Sequence, residues 1–202
     1  MGKARRTKLI DRSYNIRDAQ LFIIATEGAK TEKSYFNIFH DSRIKIEVLA
    51  TGEANDSAPQ HVIERLNEFT HKYDLGEEDT LCLVLDVDRW GAKNLSPVCR
   101  EATQKNYCLA ISNPCFEVWL CLHLDDLDPN DKTCKDFKTR LQSILGSYNS
   151  SNIDVAPFVK HIEDAVRRAK QLHPDPNENW PLTPGSHIHR VVEMILKATT
   201  NI

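Results

Sequence analysis

The 202-residue chain is 41% hydrophobic and 27% charged, with a formal net charge of −3. That balance suits one substantial globular domain or a domain with an extension, and it leaves no overall basic footprint for nucleic acid. No apolar run approaches the ~20 residues of a membrane-spanning helix, no apolar core follows the basic start as in a secretory signal, and MGKARR lacks the Ser/Thr of a myristoylation signal. The expectation is a cytoplasmic protein without a membrane partner.

In chain order, residues 1–18 form a basic arm carrying Lys3, Arg5, Arg6, Lys8, Arg12 and Arg17. Such an arm either contacts phosphates or only solubilises. QLFIIAT (20–26) reads as a strand that stops at Glu27-Gly28, and Tyr35, Phe36, Ile38 and Phe39 follow at helical spacing. RIKIEVLA (43–50) alternates as a second strand. Ser57-Ala-Pro-Gln60 has the form of a capping box, ahead of a helix with Val62, Ile63, Leu66, Phe69 and Tyr73 on one face. TLCLVLDVD is a third strand whose unbroken apolarity predicts burial on both faces. Ser96-Pro97 predicts a helix over about 96–106, YCLAISN (107–113) a fourth strand, and CFEVWLCLHL (115–124) an apolar helix.

Strands alternating with helices predict an α/β core over 19–126, with a mostly parallel four-stranded sheet between helices. The rest, 127–202, reads as a helical C-terminal extension packed on that core. Phe137, Leu141 and Ile144/Leu145 mark one helix face. Phe158, Ile162, Val166 and Ala169 mark the next, and Ile188, Val191, Val192, Ile195 and Leu196 the last. The six cysteines form no C-x-x-C pair and no zinc-ligand spacing, so the expectation is buried free thiols.

Ligands of parallel sheets gather at the carboxyl ends of the strands. Glu27 ends the first strand, and Asp86 and Asp88, two apart and so on one face, end the third. Carboxylates that close raise one another's pKa. A hard divalent cation removes the conflict, and Mg²⁺ (or Mn²⁺) takes a few carboxylate oxygens while leaving room for phosphate. Glu27, Asp86 and Asp88 are therefore the candidate metal ligands.

IIATEGAKTEKSYF followed by LVLDVDRW resembles the Toprim pattern, a Glu-Gly after one strand and a D-x-D after a later one. AISNPCFEVWLCLHL and GSHIHRVVE are similar to the RloB-like group of Toprim-related proteins, found with bacterial antiphage and abortive-infection loci. The resemblance spans residues 20–195. It implies a three-layer Toprim-like fold and a Mg²⁺-dependent nuclease acting on RNA or DNA in antiphage defence, with Glu27 as general acid/base or ligand and the D-x-D pair holding the ion. Arg89-Trp90 stands where many Toprim proteins carry another acid or Gly, which argues against a topoisomerase or primase.

Around that core, Glu117 is a candidate fourth acid, at a helix start that favours anions, with Ser112 and Asn113 beside it. Lys30, Lys33, Arg89, His189 and Arg190 are candidate phosphate contacts, and Glu32 a supporting acid or a helix-dipole charge. Cys115 has no paired His to make it a nucleophile. The alternative is a non-catalytic or partner-activated nucleotide- or nucleic-acid-binding subunit. Lacking G-x-x-x-x-G-K-[ST], the chain would draw ATP hydrolysis from an ATPase partner, and self-association into a homo-oligomer is left open.

Overall fold

The computed structural model describes residues 7–8, 19–52, 57–88 and 90–200. Apart from the backbone of Thr7–Lys8 (β1), the basic arm lies outside them, as does Arg89. β1 runs parallel to Tyr73–Asp74 (β4).

Alternation along the strands builds the main sheet. In Gln20–Thr26 (β2), Phe22 and Ile24 face one way and Leu21, Ile23 and Ala25 the other. Thr80–Asp86 (β5) and Cys108–Asn113 (β6) repeat the pattern, with Cys82, Val84 and Ala110 on one face and Leu83, Leu85, Leu109 and Ile111 on the opposite one. Both faces are covered, which is why these strands lack polar positions until their ends. Ile44–Leu49 (β3) is an edge and alternates more loosely.

The sheet has five strands, ordered β3-β2-β5-β6-β7, where β7 is the two-residue Gly185–Ser186. The first four are parallel and β7 is antiparallel to β6. The expected four-stranded sheet thus gains a strand from the segment read as purely helical. Its residues offered no apolar alternation. Backbone pairing to Ser112 and Asn113 places it.

One face carries Pro59–Lys72 (α2) and Gly91–Gln104 (α3), packed through residues such as Val62, Leu66, Leu95 and Val98. The other face carries Thr31–Phe36 (α1), Glu117–Leu124 (α4), Cys134–Leu145 (α5), Ala156–Val159 (α6), Ile162–Leu172 (α7) and Ile188–Thr200 (α8). The result is a three-layer α/β fold. α4 is apolar nearly all round because it lies between β6 and the helices α5, α6 and α7.

Three local expectations are corrected. α2 starts at Pro59 with Ala58 as N-cap and no side-chain cap, so the Ser57–Gln60 box does not form. A capping box forms at Thr133 and Asp136 instead. α3 begins at Gly91, five residues earlier than Ser96, and takes Pro97 into its interior. The stretch from Phe158 to Ala169 is two helices, α6 and α7. No described helix is long and apolar enough to cross a membrane.

Candidate acidic site

β2 and β5 are parallel neighbours in register Thr26↔Val84, so their carboxyl ends finish side by side. The β2 ladder runs one step further, with Glu27 N donating to Val84 O at 3.1 Å. Glu27 is buried, and its carboxylate accepts from Asp86 N (3.2 Å, Oε2) and from the Trp90 indole Nε1 (2.9 Å, Oε1). Trp90, the residue that follows the D-x-D by two, therefore orients the first acid while its ring packs against the α2/α3 side of the core.

Asp86 lies on the α4 side of the sheet, as the pleat predicts from Cys82 and Val84. Beyond it the backbone stays tied to β6 and its turn, through Val87 N to Ser112 O (2.9 Å) and Asp88 N to Pro114 O (3.0 Å). That tether aims Asp86 and Asp88 at the same cavity.

The cavity is about 370 Å³ and is walled by five acids, Glu27, Glu32, Asp86, Asp88 and Glu117. They come from the ends of β2 and β5 and the first turns of α1 and α4. Glu32 reaches back over the turn, where its Oε1 accepts from Gly28 N at 3.0 Å. A Cβ at Gly28 would run into that carboxylate, so a larger residue there would displace Glu32 from Gly28 N. Burial, then the charges of Glu117 and Glu27, push Glu32 up to about 7. Asp86 is also raised well above the usual carboxylate range, by burial first and then by Glu32, Glu27, Glu117 and Asp88.

Glu117, the first residue of α4, accepts from Tyr148 Oη at 3.0 Å and lies 3.5 Å from Lys138 Nζ. Burial and the Glu117 charge keep the Tyr148 hydroxyl protonated. Lys138 is the cation on the cavity wall among the described residues. Thr31 ties α1 to the far rim by donating to Ser150 O at 2.6 Å.

Glu27, Asp86, Asp88 and Glu117 are thus brought to one cavity. Lys30, the N-cap of α1, and Lys33 within it are exposed and outside its wall. Ser112 is fully buried and bonds Ser186 (Oγ···Oγ 2.8 Å), and Asn113 Nδ2 donates to Pro181 O at 2.8 Å. Both hold β7 and its loop rather than the cavity. His189 Nδ1 contacts Ser186 O at 3.1 Å, and Arg190 donates to Glu178 O at 2.9 Å, so both sit in the C-terminal layer. A larger groove, about 820 Å³, lies between α7 and α8 and contains none of these acids.

The cysteine expectation is corrected for two of the six. Cys115 and Cys134 form a disulfide on the cavity wall, whereas Cys82, Cys99, Cys108 and Cys121 are free. At a sequence separation of 19, only the folding of α5 over α4 brings them together. Among the described residues, the triple whose ligand atoms all lie within 4.8 Å of one another is Cys115, Glu117 and Cys134. Glu27, Asp86 and Asp88 share the cavity at wider separations. Cys134, Lys138 and Tyr148 carried no signal in the sequence, because their relevance arises from contacts across the two halves of the chain.

No curated protein and no solved structure matches the chain. Residues 22–195 match the family model for RloB-like protein, and the chain belongs to that family.

Proposed function

We propose that this member of the RloB-like family is a divalent-cation-dependent nuclease that hydrolyses phosphodiester bonds in RNA or DNA. One observation carries the reading. Five carboxylates from four elements face a single cavity at the carboxyl edge of parallel strands, and two of them are raised by mutual repulsion and burial. Nothing about folding requires that gathering, which is unfavourable until positive charge enters.

The donor set fits Mg²⁺ or Mn²⁺, since the acids offer only oxygen and the cavity has room for retained water and a phosphate. Glu27, Asp86 and Asp88 would hold the ion. When bound, such an ion polarises the phosphate and lowers the pKa of water. The chain's own groups do the remainder. Trp90 and the Asp86 amide orient Glu27. Glu32, titrating near neutrality, carries the proton taken from the attacking water. Lys138, with Lys30 and Lys33 exposed nearby, draws the phosphate backbone to the mouth. A Toprim-type ancestry and a role in antiphage defence are supported by the motif resemblance.

Incubation of the full chain with total RNA, tRNA and plasmid, with Mg²⁺ or Mn²⁺, tests this. The expected result is cation-dependent cleavage that Asp86→Asn and Glu27→Gln reduce at least about 100-fold. Cleavage that survives both substitutions would put the active site elsewhere. Calorimetric Mn²⁺ binding without cleavage would favour a subunit activated by a partner ATPase.

A further inference from the structure

The wall of the acid cavity contains sulfur as well as oxygen. Cys115 lies two residues before Glu117, in the turn that leads from β6 into α4. Cys134 is the first residue of α5, held in place by the capping box of Thr133 and Asp136. Their Cα atoms are 5.8 Å apart. A Glu117 carboxylate oxygen lies within 4.8 Å of both sulfurs, and Asp88 Oδ2 lies 3.2 Å from Cys134 Sγ. Four potential ligands thus converge from two helices and two turns.

This donor set differs from the rest of the cavity. Mg²⁺ takes oxygen alone. Two thiolates with one or two carboxylates suit a borderline-soft ion that prefers four ligands in a tetrahedron, as zinc does. Zinc–sulfur bonds of about 2.3 Å put two thiolates roughly 3.8 Å apart in that geometry. Cysteines with Cα atoms 5.8 Å apart reach such a separation by turning their side chains, without moving α4 or α5. Tyr148 orients the Glu117 carboxylate, and Lys138 offsets the surplus negative charge.

We propose that Cys115, Cys134 and Glu117, with Asp88 completing the set, form a redox-gated site for a thiophilic divalent cation of the zinc class. The disulfide is its closed state, since bonded sulfurs carry no charge and are poor ligands. A dithiol reductant opens it. Thiolate attack breaks the Cys115–Cys134 bond and forms a mixed disulfide. The second reductant sulfur then releases the protein thiol and closes its own disulfide, so two electrons and two protons pass to the cysteines. Cys134 is the sulfur open to attack, being half-buried where Cys115 is buried. Cation binding then displaces the two thiol protons. An ion held there also takes Glu117 and Asp88 from the acid cavity, so zinc inhibits hydrolysis. That consequence rests on the proposed nuclease, whereas the binding does not.

The test is a titration of the full chain with Co²⁺, after reduction and removal of the reductant. One equivalent should give thiolate-to-cobalt charge-transfer absorption that zinc abolishes, and the oxidised protein should give none. Cys134→Ser should lose the absorption. Glu117→Gln should keep it but bind at least about tenfold more weakly. Circular dichroism of each variant separates loss of the site from loss of the fold. Absence of the absorption in reduced wild type, or its persistence in Cys134→Ser, overturns the site. Equal absorption before and after oxidation overturns the gate. Neither result depends on cleavage, so it stands apart from any failure of the nuclease reading.

Discussion

Two polar regions lie on the same face of the sheet and behave in opposite ways. On α4, His123 is fully buried among Tyr35, Trp119 and Phe158, with both ring nitrogens partnered. Nδ1 donates to Trp119 O at 2.9 Å, which leaves Nε2 to accept from Tyr35 Oη at 3.1 Å. At the strand ends, five carboxylates face one cavity, with Lys138 the cation on its wall among the described residues. The His123 ring is polar and satisfied, whereas the acids are polar and in conflict. Satisfied groups specify packing. Gathered like charges are kept for what they bind.

Substitutions that separate the two regions should differ most in activity. Asp86→Asn is expected to lower cation-dependent cleavage at least about 100-fold while leaving the cation-free protein folded. A variant that cleaves normally would make the acid cavity as structural as the His123 cluster.

Acidity should move the two regions in opposite directions. Glu32 titrates near 7 in the folded protein against an ordinary 4.5. Its favourable contribution is complete below pH 4.5 and is lost as pH rises through 7, a swing of about 3 kcal/mol. Urea unfolding in EDTA should therefore show Glu32→Gln more stable than wild type at pH 8, with the gain vanishing by pH 4.5. His123 is depressed by burial to about 4 from 6.5. Its contribution is complete above pH 6.5 and is lost as pH falls through 4, again by about 3 kcal/mol. His123→Phe should flatten that acid limb. Two slopes of the same sign would break the contrast.

Tyr35→Phe, which leaves His123 Nε2 buried without a donor, should lower the unfolding free energy by about 1–3 kcal/mol with little effect on cleavage. Trp90→Phe removes one donor to Glu27. It should change stability by about 1 kcal/mol and show mainly as slower cleavage. Unchanged rates would confine Trp90 to packing.

Much of this was legible in the sequence. QLFIIAT marks β2 to the residue, and the acids at the ends of two apolar runs mark the cavity's floor. Glu117 was legible from its place after a strand and turn. Ser112 and Asn113 sat in the same stretch, but their hydrogen bonds go to Ser186 and Pro181, partners about 70 residues away that no local pattern announces. Likewise nothing near Cys134 or Tyr148 marks them as neighbours of an acid.

Local chemistry, then, determined the alternation of strands and helices, the burial of β2, β5 and β6 on both faces, and the position of charge at their ends. Those follow from side-chain periodicity and the apolarity that burial demands. Tertiary structure decided which acids share a cavity, that Trp90 holds Glu27, that β7 joins the sheet, and that two of six cysteines meet beside Glu117. These depend on how α5 and the C-terminal helices close over α4, a packing outcome set by the whole apolar surface rather than by any one segment.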